Sequence, residues 1–91
     1  MVFARQLRAA IKAGEITQTV RIWQKLHVKV GGHYRLDEGW VIVNSIWDIT
    51  LEDITNKLSR ECGFSSAADM LKTARHGPGQ NIYLIGFEYV T

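Results

Sequence analysis

Gly14-Glu15-Ile16-Thr17-Gln18-Thr19-Val20-Arg21-Ile22-Trp23 is the stretch that decides how the chain folds. An amphipathic helical pattern runs up to it, its glycine suits a helix C-terminus, and the residues after that glycine alternate as a strand does. Successive strand side chains point to opposite sides, so Ile16, Gln18, Val20 and Ile22 share one face and Thr17, Thr19, Arg21 and Trp23 the other. The first face is mostly aliphatic. The second carries two hydroxyls, a guanidinium and an indole. The plain reading is an antiparallel strand with a wet outer face. The sharper reading makes Thr19, Arg21 and Trp23 the lining of a pocket for a base, a nucleotide or another planar polar ligand.

Upstream, Phe3, Leu7, Ala10 and Ile11 recur at helical spacing, with Arg5, Arg8 and Lys12 on other faces, which predicts a helix over residues 3 to 13. The basic residues read as a solvated face that also offers a resting place for a backbone phosphate. Downstream, Val30-Gly31-Gly32-His33 signals a turn, Tyr34-Arg35-Leu36 a short strand, and Asp37-Glu38-Gly39 a second turn. Trp40 to Trp47 is the strongest strand signal in the chain. Thr50 then caps a helix that carries Ile54, Leu58 and Leu51 as its stripe and ends near Gly63, with Glu52 and Asp53 placed to suit the helix dipole. A further helix starts at Ser65 or Ser66 and buries Ala68, Met70 and Leu71 up to about Arg75. His76-Gly77-Pro78-Gly79 breaks it, and a last strand from Asn81 to Val90 puts Tyr83, Ile85, Phe87 and Tyr89 on one face.

At 91 residues this reads as one domain with a small core. Apolar residues make up 46% and charged ones 22%, which excludes a disordered chain. Eleven Lys and Arg against nine Asp and Glu leave a balance too even to argue nucleic-acid binding from net charge. A single cysteine, Cys62, excludes an internal disulfide and a cysteine zinc cluster, fits a reducing compartment, and reads as a buried, inert thiol. Neither a signal peptide nor a run of roughly 20 apolar residues is present, which points to the cytoplasm and away from a membrane. His27, His33 and His76 read as turn histidines without metal spacing, and Gly77-Pro78-Gly79-Gln80 lacks the lysine of a phosphate loop, so neither metal nor cofactor is expected. Three tryptophans in so short a chain, Trp23, Trp40 and Trp47, are most simply core.

The order of helix, strand, short strand, long strand, two helices and strand favours an α+β fold with a mostly antiparallel sheet, and curling into a small barrel would bury both faces. The early helix ending at Gly14, the Thr17-Gln18-Thr19-Val20-Arg21 strand and the Val30-Gly31 turn into Tyr34 open a pattern that continues along the chain. It runs on through Asn44-Ser45-Ile46, Glu52-Asp53-Ile54, Glu61-Cys62-Gly63-Phe64 and Tyr83-Leu84-Ile85-Gly86-Phe87, and it resembles the ASCH domain family. The resemblance implies a small PUA-like β-barrel of mostly antiparallel strands flanked by about three helices, of the small bacterial single-domain type, and a partner that is RNA, a nucleotide or a modified nucleoside. The family signature is similar to Gly-x-Lys-x-x-Glu-x-Arg. Laid on this chain it matches at Gly14 and Arg21, with Ile16 in place of the lysine and Thr19 in place of the glutamate.

The same resemblance extends to amidohydrolases that deacetylate acetylcytidine with a lysine, a threonine and a glutamate. It places Thr19 on the threonine and Glu61 near the glutamate, leaving the lysine missing. A threonine hydroxyl is a poor nucleophile until a neighbouring base takes its proton, and isoleucine cannot do so. Lys12 or Lys25 would serve only if the fold brought one of them to Thr19. Binding is therefore the leading expectation: Arg21 pairs with a phosphate or base edge, Thr17 and Thr19 donate hydrogen bonds, and Trp23 or Tyr83 stacks. Hydrolysis with Thr19 and Glu61 is the alternative, ribonuclease activity a further one, and a monomer or weak dimer the expected state.

Overall fold

The computed structural model describes residues 1–75 and 79–91, so the helix break expected at His76-Gly77-Pro78 lies outside the described residues. Ala4 caps a 3-10 turn, Arg5–Leu7, that runs into helix α1, Arg8–Lys12. The helix stops at Gly14, whose φ of +79° is a conformation that glycine adopts without a Cβ penalty. Strand β1 spans Gln18–Trp23, β2 His33–Leu36, β3 Gly39–Ile49 and β4 Asn81–Val90. The four strands pair antiparallel in the order β1-β4-β3-β2, an isolated parallel bridge joins Ile22 to Arg75, and the sheet curls into a half-barrel. Its edges are β1 and β2, which do not pair with each other among the described residues.

The expected helix from Thr50 to Gly63 is two pieces. Thr50 and Asp53 form a capping box, but it encloses a single 3-10 turn, Leu51–Asp53. Ile54 then returns to extended backbone, and Thr55 caps helix α2, Asn56–Glu61, by accepting from the Leu58 N–H. Leu51, expected in the apolar stripe, is exposed. Helix α3, Ala67–Ala74, is capped by Ser66 and buries Met70 and Ala74, while Ala68 faces out. Between the two helices Gly63 holds φ +94°, and a Cβ there would run into Ile16 and Leu7, so α2 can turn into α3 only at a glycine.

Residues paired across the ladders share a face, which assigns the two sides of the sheet. Thr19, Arg21, Tyr83, Ile85, Phe87, Val41 and Val43 lie on one side. Phe3, Leu7 and Ile11 cover its Phe87 and Val41 end, and Val28 from the loop after β1 packs with Trp23, Val43 and Ile85. On the other side α2 and α3 pack Ile54, Cys62, Met70 and Ala74 against Val20 and Ile22. No described helix is long and apolar enough to cross a membrane.

Two of the three tryptophans are not core: Trp40 is 39% and Trp47 64% exposed, and only Trp23 is buried. Trp40 alternates with Val41 and Val43 and so faces the other side, whereas for Trp47 the cause is a bulge in β3. The register shifts between Val43 and Ser45, so that Val43 faces Phe87 while Ile46, three residues on, faces Ile85. The extra residue reverses the alternation and sends Trp47 to the opposite side from Val43, beside Leu84.

Candidate functional site

Thr19, Arg21 and Trp23 point from β1 toward the N-terminal segment, and all three are buried. The wet outer face of the plain reading is thus absent: Met1 to Leu7 and the loop after Trp23 cover it. Arg21 is 8% exposed. Its Nε donates to Thr19 Oγ1 at 3.2 Å, and its guanidinium carbon lies 4.9 Å from the ring centroid of Phe3. Among the described residues no carboxylate pairs with it. The ion pairs there join Arg8 and Lys12 to Asp37, and Lys12 to Glu38. Burial lowers the Arg21 pKa to about 10, which leaves the side chain cationic at neutral pH.

Two open clefts meet at this arginine. One, of about 230 Å³, runs between the N-terminal segment and α3 and is lined by Phe3, Leu7, Thr19, Val20, Phe64 and Thr73 together with Arg21 and Val2. The other, of about 270 Å³, is lined by Met1, Val2, Arg21, Trp23 and His27. Arg21 and Val2 belong to both. Among the described residues the structure therefore has a buried, singly bonded cation at the junction of two clefts, one walled chiefly by apolar side chains and the other by Met1, Val2 and the Trp23–His27 ring pair. Such a cation has the chemistry to receive an anion, since a charge without a counterion in a low-dielectric setting is strongly relieved by one.

The remaining candidate residues are spread around this centre. Thr17 is exposed, and its carbonyl accepts from the Phe87 N–H. Trp23 lies 4.4 Å from His27 with the rings nearly parallel at 13°, and 6.2 Å from Tyr83, tilted by 44°. One indole face is thus occupied by an imidazole. Tyr83 is half-buried opposite Arg21 on β4 and lines neither cleft. Glu61 is exposed on the last turn of α2 and lines neither cleft as well.

Lys12 is held by Asp37 and Glu38 at the β2–β3 turn, which pins α1 to the sheet and partly neutralises the basic face expected of that helix. The same partners raise its pKa, Glu38 contributing most, and Lys12 in turn lowers that of Glu38. Ile16 is core, packed with Phe3, Leu7 and Ile11. Cys62 is buried, and burial, aided by the charge of Glu61, pushes its thiol up to about 11. No group of three or more His, Cys, Asp or Glu that could hold a metal ion occurs among the described residues.

Sequence reasoning missed Val2, Phe3 and Phe64 as walls of the site, and His27 as the ring stacked on Trp23. Phe3 was legible only as one apolar position of a helix. Its contact with Arg21 depends on the residues before Arg5 being extended and folding back over β1, which periodicity does not report. No family model matches the chain significantly, and no curated protein or solved structure does.

Proposed function

We propose that this chain is a small cytoplasmic RNA-binding domain, ASCH-like in its motifs, whose half-barrel belongs to a PUA-like barrel and whose ligand sits in the clefts beside β1. The observation that carries this reading is Arg21, buried without a carboxylate partner among the described residues and opening onto both clefts. A phosphate supplies the missing charge, and the Nη groups that Thr19 leaves unused supply bidentate hydrogen bonds to it. Thr19 orients the guanidinium by accepting from Nε and keeps its own hydroxyl proton to donate.

Binding is favoured over hydrolysis by what surrounds Thr19. Its hydroxyl oxygen is bonded to a cation, Lys12 is engaged at the β2–β3 turn, and Lys25 and Glu61 are exposed and line neither cleft, so none of these three groups is placed to activate it. Titration calorimetry with a single-stranded oligoribonucleotide tests the proposal when run beside an incubation with acetylcytidine. Thr19→Ala is expected to weaken RNA binding by the ~1 kcal/mol of one hydrogen bond. Release of cytidine that disappears in the same variant would replace the binding reading with an amidohydrolase.

A further inference from the structure

The two clefts are not equivalent halves of a single pocket, and their junction limits what can occupy them. Each is smaller than the roughly 300 Å³ at which small-molecule sites begin, and the two together exceed it. They share Arg21 and Val2, which makes the guanidinium a divider with space on both sides. Among the described residues Arg21 is also the one Lys or Arg side chain lining either cleft. One fixed side-chain cation matches a single negative charge. An internal phosphodiester carries one charge, whereas a terminal phosphate carries nearly two at neutral pH and calls for further donors.

We propose that the site takes one internal step of single-stranded RNA, with the phosphodiester on Arg21, one nucleoside in the Phe3–Phe64 cleft and the next against His27 and Trp23; this rests on the RNA-binding reading of the same site. With Nε held by Thr19, the two Nη groups face the non-bridging oxygens end-on. The ring surface left accessible is that of Phe64 in one cleft and of His27, backed by the buried Trp23, in the other, with aliphatic surface around them and the hydroxyls of Thr19 and Thr73 in the first. Stacking surfaces of this kind accept any base, so the step is bound with little sequence preference.

Calorimetric titration of the full chain with the dinucleoside monophosphate UpU, with uridine monophosphate, with uridine and with benzoate tests the proposal. UpU is expected to bind about tenfold or more tightly than either single unit, and Arg21→Met to remove that advantage. Phe64→Leu and His27→Ala, one change in each cleft, should both weaken UpU, while a thermal melt confirms that each variant is folded. Equal affinity for uridine monophosphate and UpU would overturn the step and leave a nucleotide site standing. Binding of benzoate alone would overturn the RNA reading as well, because the cation would then serve an apolar carboxylate. Binding of none of the four, or UpU binding unchanged in a folded Arg21→Met variant, would likewise overturn the proposal.

Discussion

The guanidinium of Arg21 lies 4.9 Å above the ring of Phe3, and that ring in turn packs against Phe87 at 5.3 Å between centroids. One aromatic residue therefore ties the N-terminal segment both to the core and to the cation of the site. A desolvated cation–π pair contributes up to about 2 kcal/mol, and here it takes the place of the carboxylate that Arg21 lacks among the described residues. A double-mutant cycle with Phe3→Leu and Arg21→Met, read by urea denaturation, is expected to give a coupling energy of about 1 kcal/mol. Additive effects would show that the two side chains are merely neighbours.

Arg21 is expected to destabilise the free protein. Burial lowers its pKa to about 10 from the ordinary guanidinium value, and a base with a lowered pKa is one whose charged form the fold disfavours. Arg21→Met, which keeps the volume and removes the charge, should raise Tm by about 5 °C, equivalent to ~1 kcal/mol after the lost contacts with Thr19 and Phe3. Above about pH 10 the unfolded chain holds more protons on this group than the folded one, so wild-type stability gains as pH rises from there toward the ordinary guanidinium pKa. The advantage of the variant should be full at pH 8 and shrink above pH 10 in parallel melts. A variant less stable at pH 8 would mean that Arg21 supports the fold instead.

The pairing of Lys12 with Glu38 and Asp37 makes the opposite prediction, in acid. Glu38 has its pKa lowered chiefly by its hydrogen bond with Lys12, so the stability it contributes is present above its unfolded value and lost as pH falls through the folded one. Lys12→Met should melt below wild type at pH 7, and the gap should close at pH 3 and in 1 M salt, because both conditions silence an exposed pair. A gap that survives acid would point to lost packing of the lysine stem.

Cys62 sits with Met70, Ala74 and Ile22 under α3, and its thiol is held near 11 by burial first and by the charge of Glu61 second. At pH 8 it should fail to react with a disulfide reagent over a time in which the urea-unfolded chain reacts completely. Rapid labelling of the native protein would mean that α2 and α3 open from the sheet.

Much of this fold is written in local pattern. Gly14 ends α1 because a left-handed residue is needed there, Ser66 caps α3, and the alternation of Thr19, Val20, Arg21 and Ile22 defines β1 with both its faces. What local pattern hides is which face other elements cover. Trp47 reads as core by alternation with Val41 and Val43, and a bulge one residue long moves it to the exposed side. The capping box at Thr50 is real yet closes only one turn, since Ile54 leaves helical backbone and Thr55 starts again. Of the site, Arg21, Thr19 and Trp23 were legible in the strand. Phe3 and His27 were not, because each meets it through a chain reversal that the sequence marks only weakly.

The most direct test of the account is the melting temperature of wild type and Arg21→Met with and without single-stranded RNA. Ligand at 100 times Kd should stabilise the wild type by about 2.7 kcal/mol, roughly 13 °C in a domain of this size, and leave the variant where it started. The two melts should therefore cross, the variant higher alone and the wild type higher with RNA. An equal rise in both proteins, or none in either, would contradict the claim that Arg21 is the anion receptor of an RNA site.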